Sequence, residues 1–356
     1  MNRKVIQLLP SISYGDAVSN HTLTLANVLS ELGYENEIYA MNIHPKIATK
    51  VHSIDKLKTD ENDIIIFHMA IGSPLSKLVK DLPNTTKIMI YHNITPADYF
   101  LNIDSCTYGL CCQGRDELKM LKDTFTLALA DSEFNRAELI ELGYKNTQVL
   151  PLIVNFDDYN ILPDKKIVNS YDDDFTNILF VGRIVPNKKH EDIIKSYYTY
   201  KKYINRKSRL FLIGSSSGMD RYVKYLRKLI YDFDLNDIYI PGHITFKELV
   251  AYYKIASVFL CMSEHEGFCV PLLESMYFKV PIIAYEAAAI PDTLGNSGII
   301  VREKKFDIIA ELINLVETNE DFRENVIKSQ NNRLNYFNAD RIKNTFKEIF
   351  KNLARE

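Results

Sequence analysis

The chain has 356 residues, of which 46% are hydrophobic and 25% are charged, and its formal net charge is -3 at pH 7. This length is too great for one ordinary domain and predicts two lobes, each with its own core. The slightly acidic balance and the lack of a basic motif argue against a nucleic-acid-binding protein. Neither a run of 18 apolar residues nor a signal-type leader is visible, so we expect a cytoplasmic protein.

Short apolar runs alternate with longer helical stretches through the first half of the sequence. The runs are Val5 to Leu9, Ile38 to Met41, Asp63 to His68, Lys87 to Tyr91 and Leu127 to Asp131. This alternation predicts β-α-β units and a parallel sheet. The first helix is expected to have Ser19 or Asn20 as its N-cap and to end at Gly33.

A polar segment from Asn155 to Asp174 interrupts the pattern and is the predicted linker. We therefore expect one Rossmann-like domain over 1–160 and a second over 161–337, followed by a last helix over 338–356. The strands predicted for the second domain are Asn177 to Val181, Arg209 to Ile213, Asp237 to Pro241, Val258 to Cys261, Val280 to Ala284 and Gly298 to Val301. Two similar halves predict a cleft between them, with ligands beyond the carboxyl ends of the strands.

The strongest motif runs from Ser263 to Glu274, after a strand and into a helix. Pro271 suits the first helical position, and Gly267 allows the backbone to approach a ligand. The free amides of such a helix start favour a diphosphate, and a first-turn carboxylate at Glu274 can accept hydrogen bonds from two ribose hydroxyls. Glu266 on the preceding loop can face the same pocket. The alternative is that Glu274 only interacts favourably with the helix dipole.

A second motif, Gly182 to Lys189, follows the predicted strand Asn177 to Val181. The fork of Arg183 can hold two phosphate oxygens, and Lys188 adds a point charge that stabilises a leaving phosphate. The alternative is a solvated basic loop.

Together the two motifs resemble family 4 of the retaining GT-B glycosyltransferases, which carry a Glu-x7-Glu pattern, here Glu266 to Glu274, and a phosphate-binding Gly-Arg…Lys, here Gly182, Arg183 and Lys188. Other segments stand in the order shown by that family: Ala130 to Phe134, Val149 to Pro151, Pro241 to His243, Glu248-Leu249 and Tyr252-Tyr253.

The resemblance implies an α/β GT-B fold, in which two Rossmann-like domains face each other across a deep cleft. The first domain would bind the acceptor and the second the donor, and the last helix, with an apolar stripe from Ile342 to Leu353, would cross back to the first domain. For the donor side the resemblance implies that Glu274 binds the ribose, that Glu266, Gly267, Phe268, Cys269 and Val270 contact the donor sugar and phosphates, that Gly242, His243 and Ile244 contact the base, and that Arg183 and Lys188 hold the diphosphate.

On the acceptor side, the segment Gly15-Asp16 follows the first strand, where similar enzymes carry a glycine-rich loop. Asp16 is either an acceptor contact or a helix cap. His92 matches the place where similar enzymes turn a catalytic histidine toward the donor sugar, although a strand-end histidine can instead satisfy buried polar groups. His68 is a second, weaker candidate of the same kind.

The resemblance implies a metal-independent retaining transferase that moves a hexose from a UDP- or GDP-sugar to a glycan or lipid-linked glycan, with the leaving phosphate taking the acceptor proton. No cofactor or metal is expected: the string Asp172 to Asp174 lies in the polar linker, and the five cysteines, expected to be reduced, lack metal-site spacing. Contact with the inner membrane face is compatible with a lipid-linked acceptor. The alternatives are a nucleotide-sugar hydrolase or epimerase, and a non-catalytic GT-B subunit that binds a glycan or a partner.

Overall fold

A computed structural model describes residues 3–13 and 15–353 of the chain, so that the last three residues of the expected helix 338–356 lie outside the described part. The chain divides into two compact units. The first comprises the described residues within Met1–Ala97, Cys106–Val154 and Phe337–Glu356, and the second comprises Asp98–Ser105 and Asn155–Tyr336.

The boundary between the units lies at Val154/Asn155, not at the expected 160/161. The expected linker is not a free segment, because its aromatic residues pack within the second unit. The ring of Phe156 stacks on Tyr277 with centroids 4.8 Å apart, and the ring of Tyr159 meets Phe246 edge-on at 4.9 Å. The short segment Asp98–Ser105 also groups with the second unit.

The first unit has a seven-stranded sheet in the order β3-β2-β1-β4-β5-β6-β7, and every strand pair in it is parallel. Its strands are β1 (Val5–Ile12), β2 (Asn36–Ile43), β3 (His52–Ser53), β4 (Ile64–Met69), β5 (Lys87–Tyr91), β6 (Leu127–Ala130) and β7 (Thr147–Val149). The helices of the chain up to this point are α1 (Ala17–Glu31), α2 (Leu75–Asp81), α3 (Ser105–Met120) and α4 (Glu133–Glu141).

The second unit has a six-stranded sheet in the order β10-β9-β8-β11-β12-β13, again with parallel pairs only. Its strands are β8 (Thr176–Val181), β9 (Ser208–Ile213), β10 (Ile238–Gly242), β11 (Val258–Cys261), β12 (Ile282–Tyr285) and β13 (Ile299–Val301). Its helices are α5 (Lys165–Ser170), α6 (His190–Tyr203), α7 (Asp220–Asp232), α8 (Phe246–Ile255), α9 (Val270–Tyr277), α10 (Ile290–Leu294), α11 (Phe306–Thr318) and α12 (Glu320–Leu334).

The last helix, α13 (Ala339–Leu353), belongs to the first unit although the second unit precedes it in the chain. Its apolar stripe is buried, and the ring of Phe350 meets Tyr34 edge-on with centroids 5.1 Å apart. Lys347 Nζ also lies 2.7 Å from a carboxylate oxygen of Glu31 at the end of α1. Burial of such a stripe stabilises the return of the chain to the first unit.

Both sheets therefore have the doubly wound topology expected of Rossmann-like domains. Among the described residues, no helix has both the length and the apolar character needed to cross a bilayer.

Candidate functional site

The second unit has its topological switch point between β8 and β11. From β8 the chain builds the sheet outward through β9 and β10, and from β11 it builds in the opposite direction through β12 and β13. Crevices at such points, beyond the carboxyl ends of the strands, are where open α/β sheets bind ligands. The loop that begins at Gly182 and the loop that begins at Met262 both start there.

A close backbone contact shapes the first of these loops. The Gly182 amide donates to the carbonyl of Ile213 at 2.9 Å, and a Cβ placed on Gly214 would lie only 2.0 Å from the carbonyl oxygen of Gly182. Only glycine fits at position 214, because any side chain there would displace the loop after β8. Sequence analysis missed Gly214, whose signal is a glycine directly after the apolar run of β9.

The two cations of this loop have different surroundings. Lys188, in the 3-10 helix Pro186–Lys188, donates a hydrogen bond to Glu266 Oε2, and the side chain of Glu266 is only 6% exposed. Burial is the largest single influence and lowers the pKa of Lys188, but the charge and hydrogen bond of Glu266, together with the nearby cysteines, raise this pKa overall. Arg183 is exposed and its guanidinium has no partner among the described residues. Arg183 is thus available to an anionic ligand, whereas Lys188 is already paired.

Asn187 connects the two loops. Its side-chain amide donates to the main-chain carbonyl of His265 at 3.0 Å, and its main-chain carbonyl accepts from the main-chain amide of Glu264 at 2.9 Å. Asn187 is buried, so both hydrogen bonds are shielded from water. Sequence analysis did not single out this residue.

The segment from Glu266 to Cys269 is held from its other side by the α10 region. The Glu266 carbonyl accepts from the Ala289 amide at 3.2 Å, and the Phe268 carbonyl accepts from the Thr293 hydroxyl at 2.5 Å. Cys269 is the N-cap of α9, with φ 71° and ψ 68° in the left-handed region and no side-chain cap. The first turn of α9 therefore presents amide groups that no capping side chain satisfies.

Glu274 lies one residue deeper in its helix than expected. Because α9 begins at Val270, Glu274 is its fifth residue, not a first-turn residue. Its carboxylate is buried, with Oε1 accepting from the Tyr159 hydroxyl at 2.5 Å and Oε2 from the Tyr253 hydroxyl at 2.6 Å. Burial raises the pKa of Glu274, against the lowering effect of the two tyrosine hydrogen bonds.

The segment expected to contact a base follows β10. Gly242 has φ +80°, and its carbonyl accepts from the Gly214 amide at 3.1 Å. His243 is exposed and Ile244 is half-buried. The segment ends at Thr245, which forms a capping box with Glu248 at the start of α8. Glu248, one of the residues that match the order of segments in the family, therefore has a structural role.

His92 lies in a buried polar network of the first unit. Its Nδ1 is 2.9 Å from Asp131 Oδ2, and its Nε2 is 3.0 Å from Nδ1 of His68, whose Nε2 is 3.0 Å from Gln7 Oε1. The side chains of His92 and Asp131 are each 2% exposed. His92 therefore satisfies buried polar groups, which is one of the two roles that the sequence left open. Both of its ring nitrogens already have protein partners, and a sugar contact would require the ring to leave them.

A third histidine, His21, packs edge-on against the rings of both His68 and His92. Its Nδ1 accepts from the Ile153 amide at 3.1 Å. Burial lowers the pKa of His21 and of His68 well below the usual value, so both rings are neutral at pH 7.

Asp16 caps α1, which begins at Ala17, and neither Ser19 nor Asn20 is the cap. The Asp16 carboxylate accepts from the Ser19 amide at 3.0 Å and from the Ser19 hydroxyl at 2.8 Å. Gly15, with φ +80°, has no atom within 4 Å of the position that a Cβ would occupy. The turn itself therefore favours glycine at this position.

Two carboxylates of the Asp172 to Asp174 string are held by cations of the β9 region. Asp173 accepts from Arg209, and Asp174 lies 2.5 Å from Lys207 Nζ. These contacts give the acidic string a structural role.

The geometry of the second unit combines an unpaired arginine, a Lys-Glu pair and an uncapped helix start at one sheet edge, an arrangement suited to a phosphate-bearing ligand. Two Rossmann-like units with such a site define a protein of the GT-B fold. The structure matches sucrose-phosphate synthase from Thermosynechococcus elongatus with a TM-score of 0.76, 16% identity and 99% of each chain covered. It matches a glycosyltransferase from Rickettsia africae at 0.75, with 18% identity and 99% of each chain covered. It also matches Anabaena HepE in complex with UDP-glucose at 0.73, with 14% identity over 98% of this chain and 99% of that one.

Residues 163–333 match the model of the family described as glycosyl transferases group 1. An uncharacterized glycosyltransferase from Methanocaldococcus jannaschii is 28% identical over 191 residues, 52% of this chain and 44% of that protein. A capsular polysaccharide biosynthesis glycosyltransferase, CapM, from Staphylococcus aureus is 28% identical over 207 residues, 56% of this chain and 51% of that protein. The chain thus matches about half the length of these curated relatives.

Proposed function

We propose that this protein is a retaining glycosyltransferase of family 4, which moves a hexose from a UDP- or GDP-sugar to a hydroxyl of a glycan or lipid-linked glycan. The observation that carries the proposal is the edge beyond β8 and β11, where Arg183, the Lys188–Glu266 pair and the start of α9 lie on connected loops. The group 1 match over 163–333 and the names of the relatives support transfer chemistry.

In the proposed complex, the donor binds the second unit. Arg183 holds the diphosphate with its free guanidinium, and the amides at the start of α9 face the same charge. Lys188 stabilises the charge that develops on the leaving phosphate while Glu266 keeps it in place. Glu274 receives the ribose hydroxyls, and the segment Gly242 to Ile244 contacts the base.

The reaction proceeds on the face that the leaving group departs from, and the leaving phosphate takes the proton of the acceptor hydroxyl. Protein cations and amides supply the electrostatic stabilisation, so the proposed reaction requires no metal. The first unit binds the acceptor, and the Gly15-Asp16 turn is the segment proposed to lie nearest to it.

Donor binding is tested by calorimetry and thermal shift with UDP, GDP, ADP and CDP, each in the presence and absence of EDTA. A nucleoside diphosphate that binds only the folded chain raises its unfolding temperature. Stabilisation by UDP or GDP in the presence of EDTA supports the proposal, whereas no response to any nucleotide favours a non-catalytic subunit.

Two variants test the assignment of roles. Glu274→Ala is expected to abolish nucleotide binding, and Arg183→Ala to slow turnover about 100-fold, the scale of losing one preorganised donor. Turnover is measured as transfer to an added acceptor. Release of free sugar or of an epimer without transfer identifies a hydrolase or epimerase, and near-normal activity of both variants contradicts the site.

A further inference from the structure

We infer that Cys261, Glu266 and Cys269 form a binding site for a soft divalent metal ion of the Zn²⁺ class. Cys261 ends β11, Glu266 lies on the following loop, and Cys269 is the N-cap of α9. All three residues are buried. The site shares Glu266 with the proposed donor site, and the ion takes no part in the proposed reaction.

The distances between the ligand atoms suit one ion. The two sulfur atoms and one carboxylate oxygen all lie within 4.8 Å of one another. Bonds of about 2.3 Å to sulfur and about 2.1 Å to oxygen place tetrahedral ligand atoms about 3.6–3.8 Å apart. The three atoms therefore need to approach one another by at most about 1 Å, the scale of a small side-chain adjustment.

The carboxylate of Glu266 provides a second, independent observation that points to a ligand. Its Oε2 accepts from Lys188, but its Oε1 is buried and has no hydrogen-bond partner. A buried carboxylate oxygen without a partner carries a desolvation penalty, which a metal bond would remove. The side chain of Glu266 is 6% exposed, so bulk water does not solvate it freely.

Charge also favours a divalent ion. Two thiolates and one carboxylate would carry three negative charges, and the ammonium of Lys188 neutralises one of them. The remaining two match the charge of Zn²⁺. Both thiols must lose their protons for this, so binding of one ion releases two protons to the solvent.

The sequence hides this cluster because its spacing is Cys-x7-Cys with Glu266 between the cysteines. The fold brings their ligand atoms within 4.8 Å of one another, and the backbone of Cys269, at φ 71°, is left-handed where the loop enters α9. Cys261 Sγ donates a hydrogen bond to Ser263 Oγ at 3.4 Å. With three protein ligands, the fourth position of the ion stays open.

The test is titration of the reduced, metal-free protein with Co²⁺, followed by Zn²⁺, without nucleotide. We expect one Co²⁺ to bind per chain with release of two protons, and to give the visible spectrum of a tetrahedral site with a thiolate-to-metal band. Zn²⁺ should then displace Co²⁺ and remove the band without further proton release. The variants Cys261→Ser and Cys269→Ser are expected to weaken Zn²⁺ binding at least about 100-fold. The matched control is Cys106→Ser/Cys112→Ser, which changes two cysteines outside the cluster and keeps the band.

Thermal unfolding without metal establishes that each variant is folded, and Glu266→Gln, which preserves both cysteines, provides a second test if a serine variant unfolds. No thiolate band in the folded protein, or a band that survives Cys261→Ser/Cys269→Ser, overturns the inference. One consequence depends on the proposed function: because Lys188 and Glu266 belong to the donor site, bound Zn²⁺ lowers UDP affinity. Metal binding that leaves UDP affinity unchanged upholds the metal site and contradicts the donor site instead.

Discussion

Tyr159→Phe is the most informative single change, because it removes one of the two hydroxyls that satisfy the buried carboxylate of Glu274. The Tyr159 hydroxyl lies 2.5 Å from Oε1, and the substitution otherwise keeps the ring and its packing. A hydrogen bond to a charged acceptor contributes about 1.5–3 kcal/mol. Without ligand, we expect the free energy of unfolding to fall by an amount in this range, as measured by urea denaturation.

Nucleotide affinity should change in the opposite direction. Since Glu274 is buried, a ribose hydroxyl reaches Oε1 only after the Tyr159 hydroxyl moves away. Removal of this competitor leaves an acceptor that the ribose can satisfy, so we expect UDP or GDP to bind about 10-fold more tightly, equivalent to about 1.4 kcal/mol. Isothermal calorimetry on the wild type and the variant measures the difference.

Tyr253→Phe is the matched control. It removes the hydrogen bond to the other carboxylate oxygen, at 2.6 Å, from a ring that is fully buried. We expect a similar loss of stability but no gain in affinity, because no ligand group replaces this hydroxyl. A loss of nucleotide affinity in Tyr159→Phe would refute the reasoning, since it would make Tyr159 a contact of the nucleotide and not its competitor.

Three further predictions concern residues that stabilise the fold of one or the other unit. Gly214→Ala should lower the free energy of unfolding by at least about 3 kcal/mol, because its Cβ would lie 2.0 Å from the carbonyl oxygen of Gly182. A free energy of unfolding within about 1 kcal/mol of the wild-type value, measured by urea denaturation, would contradict this contact. Asp16→Ala should lower the free energy of unfolding by about 1 kcal/mol, because α1 loses its N-cap. Asp16→Asn should keep most of the wild-type stability in the same assay, because asparagine is also a good N-cap. The pKa values of His21 and His68 in the folded state lie well below 6.5, their usual value in the unfolded chain. The two neutral rings therefore contribute fully to stability above pH 6.5. As the pH falls below 6.5, the free energy of unfolding decreases by about 1.4 kcal/mol per pH unit for each ring. His21→Asn should flatten the pH dependence of the unfolding free energy by that amount, and an unchanged slope would place the ring in water.

The sequence predicted the central strands well because they are continuous apolar runs. Lys87–Tyr91 and Val258–Cys261 have the expected bounds. The short strands His52–Ser53 and Thr147–Val149 were missed, and both lie at an edge of the first sheet. An edge strand is covered on fewer sides, so its residues need not be apolar and leave little periodic signal.

The residue types of the candidate site were predictable, but their pairings were not. Lys188 and Glu266 are 78 residues apart, and nothing local shows that one satisfies the other. Tyr159 lies in a segment whose charges suggest an exposed linker, yet its ring is packed among aromatic residues. Near the start of α1, Asp16, Ser19 and Asn20 can each act as a cap. Asp16 is the cap because the amide and hydroxyl of Ser19 both donate to its carboxylate in the folded turn.

Asn187 has a consequence for any attempt to change the ligand preference of the second unit. The side-chain amide and the main-chain carbonyl of Asn187 hydrogen-bond the segment after β8 to the segment after β11. Replacing either segment alone with that of a relative would remove one side of these hydrogen bonds and leave buried polar groups unsatisfied. The two segments therefore depend on each other, and exchange of both, together with residue 187, is the smallest exchange expected to keep the second unit folded.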